Sequence, residues 1–217
     1  MSSVFNGAVP AERATGLTRA AAAVRRGDLV VLPTDSAYGV GCDAFSVPAV
    51  RALRVAKGRG PDLALPVLIG ARRTWDGIAA GLPPEARLLA EGWWPGPLTL
   101  ICRAQPSLTW DLGSGATVAV RMPLHPLALE LLGATGPMAV VAANRAGTLP
   151  PATCADAQRQ LGSAVSTYLD GGTSQDQTPS TVVDVTGPRP AVVRLGAISV
   201  EALRSVAPEL VVPEGLA

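Results

Sequence analysis

One histidine, His125, and three cysteines are all that this chain offers for metal or thiol chemistry. Cys42, Cys102 and Cys154 are odd in number, far apart and without metal-ligand spacing, so a cysteine metal site or a disulfide framework is not expected. A Ser-His-Asp triad would need His125, which sits between Pro123 and Pro126 where a helix begins; a structural or surface role suits it better. No apolar run approaches the roughly 18 residues that a membrane-spanning helix needs. The N-terminal stretch MSSVFNGAVPAER has no charged region leading into an apolar one, so a secretory signal is not expected and the chain reads as cytoplasmic. GxxxxGK[ST] and a strand-linked GxGxxG are both absent, which removes the P-loop and dinucleotide-binding classes. Charge is scarce, at 16% of residues, and nearly balanced at +1, so a polyanion would have to be held by a local cluster.

What is present is an apolar alternation long enough for a sizeable core: 217 residues, 48% hydrophobic, without internal repeats or a convincing linker. One domain spanning 1–217 is expected. Leu29 to Leu32 reads as a buried strand stopped by Pro33, followed by the polar turn Thr34-Asp35-Ser36, Tyr38, and two glycines that let backbone pass close to something. Ser46 and Pro48 open a helix that delivers Lys57 and Arg59 on a glycine-rich loop. Further helices are expected at 10–26, 71–80, 126–132, 155–161 and 199–206, with another starting at Pro83-Pro84. Strands are expected at 65–69, 98–101, 117–122, 138–142, 165–169, 181–185 and 192–195. Strands outnumber helices, which predicts an α/β fold with a mixed, twisted sheet and helices packed outside it. The Trp93-Trp94 pair reads as a packed aromatic corner.

Polar residues collect at the strand ends: Thr34 and Ser36, Thr117 and Arg121, Asn144, Ser180 and Arg194, with Lys57 and Arg59 beside them. Cations and hydroxyls without a carboxylate pair suit the holding of a phosphorylated or carboxylated ligand, and suit acid–base catalysis poorly.

PTDSAYGVG, AKGRG, WPGPLTL, TVAVRMPLHP, the asparagine segment at 142–144, YLDGG, STVVDVTG and VVRLGAIS fall in one order over nearly the whole chain. In that order and spacing the chain resembles the YrdC/TsaC family of threonylcarbamoyl-AMP synthases in their single-domain form. The resemblance implies a YrdC-like twisted mixed sheet around a basic cavity. It also implies a reaction of L-threonine, bicarbonate or CO2, and ATP that gives threonylcarbamoyl-AMP and pyrophosphate. The product would pass to a transferase that modifies adenosine 37 of tRNAs reading ANN codons, with weak or no direct tRNA binding by this chain and no membrane.

Carried over by motif, Lys57 and Arg59 would be catalytic and hold ATP phosphates, with Thr117, Asn144, Ser180 and Arg194 as further nucleotide contacts. Arg121 would pair with the threonine carboxylate, and Ser36 and Tyr38 would line the amino-acid end. Mg2+ would be carried by phosphates and water, with no protein side chain as ligand. The chain departs from the family pattern at Ala142, where the motif places serine, at Ser36 for threonine and at Leu65 for asparagine. These departures leave two alternatives open: a paralogue that adenylates the carbamate of another amine, and a non-enzymatic nucleotide- or RNA-binding module.

Overall fold

The computed structural model describes residues 2–58, 60, 64–113 and 115–216. Arg59 lies outside them. The chain begins with strand β1 (Ser3–Asn6), which its sequence pattern did not reveal, and helix α1 (Pro10–Arg25). Gly27, at φ 87°, turns the chain into β2 (Val30–Leu32) and then β3 (Gly39–Asp43). Helix α2 (Val47–Lys57) starts where Ser46 Oγ accepts from the Ala49 N–H, and stops at Gly58 with φ 64°. Next come β4 (Val67–Leu68), α3 (Arg72–Ile78), β5 (Ala79–Ala80) and α4 (Pro84–Trp93). The hairpin of β6 (Leu98–Ala104) and β7 (Thr117–Arg121) leads to α5 (Pro126–Thr135) and β8 (Met138–Ala142). Helix α6 (Cys154–Leu161) and strands β9 (Thr167–Asp170), β10 (Thr181–Asp184) and β11 (Ala191–Arg194) follow, and α7 (Val200–Val206) is the last helix.

The strands form one mixed sheet in the order β1-β9-β2-β3-β8-β4-β7-β6-β10-β11, with β5 attached to β6. This is the twisted mixed sheet flanked by helices that the strand count predicted. The two glycines after the PTDS turn lie within β3, a strand absent from the sequence reading. What passes close to them is protein: a Cβ on Gly39 would meet Val140 Cγ1 at 2.6 Å.

Register decides which residues share a face, because paired residues point the same way and so do residues two apart along a strand. Gly41 pairs with Val140, and Met138 with Leu68. Leu68 pairs with Arg121, Ala119 with Ile101, Thr99 with Val182, and Val182 with Arg194. One face of the sheet therefore carries Val140, Leu68, Arg121, Thr99 and Arg194 together. The opposite face, with Val31, Val67, Leu100, Val120 and Val183, is buried beneath residues of α2, α3, α4, α6 and α7. The Arg121 face is covered on one half only, where α1 and α5 pack Ala20, Val24, Ala128 and Leu131 over Val30, Leu32, Met138 and Val140. Over β7, β6, β10 and β11 no buried apolar cluster closes this face among the described residues. A cavity opens there.

The aromatic corner is packing, as expected. Trp94 is buried, meets Trp75 edge-on at 4.9 Å, and donates from Nε1 to Leu98 O at 2.8 Å.

Candidate functional site

The cavity has a volume of about 440 Å³ and runs along the uncovered half of the sheet from the PTDS turn to β11. Its polar wall comprises Ser36, Arg121, Thr99, Ser180 and Arg194; its apolar wall includes Leu65, Val140 and Ala142. Among the described residues no carboxylate lines it.

Each polar residue is held by the element that carries it. Pro33 ends β2, and Thr34 then closes the turn on itself: its Oγ1 donates to Ala37 O at 2.7 Å and accepts from the Ser36 N–H at 3.2 Å. This leaves Ser36 Oγ to accept from Arg121 Nη1 at 3.2 Å. Arg121 is 8% exposed, donates from Nε to Gly96 O at 3.1 Å, and forms an ion pair through Nη2 with Asp35 Oδ1 at 2.7 Å. On the far wall Arg194 grips the start of β10, donating from Nε and Nη2 to Ser180 O at 3.1 and 2.8 Å and from Nη2 to Ser180 Oγ at 3.0 Å. Ser180 Oγ in turn bonds Thr99 Oγ1 at 2.8 Å. Burial lowers the Arg194 pKa from its ordinary value, and the Arg121 charge lowers it further. Two guanidiniums thus face one cavity; Asp35 pairs with Arg121 from behind, and among the described residues no acid lines the cavity itself. That is an anion site.

Of the residues expected from sequence, Ser36, Arg121, Ser180 and Arg194 meet at this cavity. Others are placed differently. Thr117 lies on the same face of β7 as Arg121, but four residues away, or about 13 Å along the strand. Lys57 is buried (7% exposed), and its Nζ donates to Ala142 O at 2.7 Å, to Asn144 Oδ1 at 2.8 Å and to Asn144 O. These bonds tie the ammonium to the end of β8 and to the residue two positions beyond it. Asn144 is engaged as well, its Nδ2 donating to Thr148 O at 2.6 Å and to Arg145 O at 3.1 Å. Lys57 and Asn144 thus fix the strand end that forms the cavity wall, and contact with a phosphate would require one of these bonds to open.

Tyr38, expected at the amino-acid end, is placed behind the turn. Its hydroxyl donates to Gly172 O at 2.6 Å, contacts Asp170 Oδ1 at 3.1 Å and accepts from the Gly171 N–H at 2.9 Å. The ring is buried and lines a smaller cavity of about 270 Å³ behind the PTDS turn, not the basic cavity. Tyrosine follows two polar residues in the motif, but entry into β3 turns its side chain to the rear. Two contributors escaped sequence reasoning. Thr99 sits in an apolar strand, where its only signal is a hydroxyl among leucine and isoleucine neighbours. Asp35 was visible in the turn, but nothing local showed that it reaches β7.

No side chain here is built as a nucleophile. Cys42, Cys102 and Cys154 are buried, and burial pushes each thiol up to about 12, so they remain protonated and inert. His125 stands at the N-terminal boundary of α5 without a side-chain capping hydrogen bond, lines the rear cavity, and its Nδ1 is buried without a partner among the described residues. Desolvation lowers its pKa below the ordinary 6.5, with Asp35 opposing the shift and Arg13 adding to it. A lowered folded-state pKa leaves stability complete above about pH 6.5 and removes it as pH falls towards the folded value. Carboxylates titrate lower, near pH 4, so this window belongs to the single histidine. The thermal midpoint is expected to fall as pH drops below about 6.5, and His125→Gln to flatten that step. An identical pH profile in the variant would assign the step to another group.

Comparison with known proteins agrees with this geometry. A family model named Sua5/YciO/YrdC, described as telomere recombination, matches residues 22–196. A Mycobacterium tuberculosis protein is 47% identical over 207 residues, covering 95% of each chain. The threonylcarbamoyl-AMP synthase of Bacillus subtilis is 34% identical over 203 residues, which are 92% of this chain and 59% of that protein. The structure of Pyrococcus abyssi Sua5 complexed with L-threonine superposes with a TM-score of 0.90 at 31% identity, covering 98% of this chain and 62% of that one. The chain thus spans about three fifths of the last two relatives and nearly all of the first. A half-covered mixed sheet with paired arginines on its open face, the eight motifs in order and these matches agree: the chain belongs to the Sua5/YciO/YrdC family.

Proposed function

We propose that this chain is an L-threonylcarbamoyladenylate synthase, converting L-threonine, bicarbonate or CO2, and ATP into threonylcarbamoyl-AMP and pyrophosphate for t6A formation in tRNA. The observation that carries this reading is the cavity itself, with two guanidiniums facing it and no lining acid. It suits a reaction in which a carboxylated amine meets a polyphosphate. The threonine amine takes up CO2 to form a carbamate. A carbamate oxygen then attacks the α-phosphorus, a P–O bond forms, and the bond to the β-phosphate breaks with its electron pair leaving on pyrophosphate. No protein nucleophile is needed, only positioning and charge neutralisation.

Within this reading Arg121 and Ser36 receive the amino acid, because a guanidinium fork matches a carboxylate better than an ammonium does. Arg194 and Ser180 face the phosphates, and Arg59 takes the phosphate-holding role that its motif implies. Lys57 and Asn144 act by shaping the end of β8, and Thr117 extends the polar edge of the open sheet face. Among the described residues no three His, Cys, Asp or Glu side chains converge on a point, so Mg2+ would be held by phosphate oxygens and water. The chain acts as one domain over 1–217 and works in the cytoplasm. It hands its product to a tRNA threonylcarbamoyl transferase without binding tRNA strongly itself. Among the described residues no helix is long and apolar enough to cross a membrane.

Pyrophosphate release from ATP, Mg2+ and bicarbonate, measured across a panel of amino acids and simple amines, tests the reading. A clear threonine optimum is expected. An optimum with another amine would establish the paralogue, and nucleotide binding without turnover would establish a binding module.

A further inference from the structure

Arg121 faces the basic cavity, yet what orients it lies behind the cavity. Its three anchors are Gly96 O, Ser36 Oγ and Asp35, and of these Asp35 alone is charged. The Asp35 side chain is 13% exposed and lines the rear cavity with Tyr38 and His125, not the front one. A single oxygen does two jobs: Oδ1 meets Arg121 Nη2 at 2.7 Å and accepts from the Leu124 N–H at 2.9 Å. The PTDS turn is thereby tied both to the end of β7 and to the segment that leads into α5. Nη2 is itself buried against Asp35 and makes no aligned hydrogen bond there among the described residues, so the ion pair fixes the guanidinium by charge while other atoms of Arg121 line the front cavity.

We infer that Asp35 is a positioning residue for amino-acid recognition, orienting the Arg121 guanidinium from the rear cavity so that its front side meets a substrate carboxylate in the basic cavity. The inference rests on the functional reading above for the identity of that carboxylate. Supporting groups of this kind set how well a binding side chain is aimed, and small displacements cost much of its effect. Asp35 touches no substrate. Its action passes through Arg121.

The test reads threonine affinity by calorimetry alongside steady-state kinetics. Asp35→Asn is expected to weaken threonine binding and raise KM for threonine about tenfold or more, leaving KM for ATP within about twofold. If Asp35 merely competed for Arg121, the same variant would bind threonine more tightly, and the inference would fail. In an Arg121→Lys background the Asp35→Asn step is expected to shrink to less than about threefold, and an undiminished step would place its action elsewhere. Should the Asn variant not fold, Asp35→Glu keeps the charge but displaces it by one methylene, and is expected to raise KM for threonine selectively. Unchanged threonine affinity in a folded Asp35→Glu protein would overturn the positioning role. Wild-type protein that releases no pyrophosphate with any amino acid would sink the functional reading instead, and the calorimetric comparison would still decide the role of Asp35.

Discussion

Arg121→Gln is expected to lower kcat/KM for threonine by roughly 10²–10³, because truncating one partner of a buried, hydrogen-bonded charge pair costs about 2–5 kcal/mol. The loss has two sources. The substrate carboxylate loses its fork, and Asp35 is left largely buried behind the site with its negative charge unpaired. The second source has its own signature, since an uncompensated buried charge destabilises the fold by about 3–5 kcal/mol. Urea unfolding is therefore expected to show a lowered midpoint in Arg121→Gln, largely restored in the double variant Arg121→Gln with Asp35→Asn, while activity stays low. Arg121→Lys keeps the charge without the fork and is expected to lie between, at about a tenfold loss. A glutamine variant with unaltered KM for threonine would remove Arg121 from amino-acid recognition.

Lys57→Met is expected to destabilise the protein by about 3 kcal/mol, since hydrogen bonds to a charged group contribute about 1.5–3 kcal/mol each and buried acceptors left unmade are costly. Methionine fills similar space but donates nothing to Ala142 O, Asn144 O or Asn144 Oδ1. The end of β8 would then be free to shift, and with it one wall of the cavity. Both threonine and ATP parameters are expected to worsen, in contrast to the threonine-selective effect of Arg121. The measurement is a urea or thermal midpoint of the purified variant, followed by nucleotide affinity of the folded fraction. An unchanged midpoint with lost ATP affinity would return Lys57 to the direct phosphate contact that its motif implies.

The sequence-based bounds came closest where local chemistry is strong. The strand at 138–142 is found with those bounds, since its unbroken apolar run has no local competitor. The helix from Pro10 ends one residue earlier than expected, and Gly27 stops it as its position implied. Strand β3 was missed for a physical reason: glycines weaken strand signals, and Gly39-Val40-Gly41 becomes a strand only because β2 and β8 flank it. Short β1 and β5 likewise exist through pairing with β9 and β6, which local pattern cannot register.

The sequence by itself determined the family, the α/β class, and most of the polar residues that line the basic cavity. Those follow from composition, from short motifs in order, and from the period of apolar residues along each segment. Only the tertiary structure decided which polar residues meet. A strand's period of two settles which of its own side chains share a face, but not which face its neighbours present. That depended on the pairing order β3-β8-β4-β7-β6-β10-β11, made by segments far apart in the chain. This order put Arg121, Thr99 and Arg194 on one open face. The turn before β3 sent the Tyr38 hydroxyl to the rear, and Lys57, expected at the phosphates, holds the end of β8 in this structure. The fold also placed Asp35, an acid in a turn, against the Arg121 guanidinium on β7.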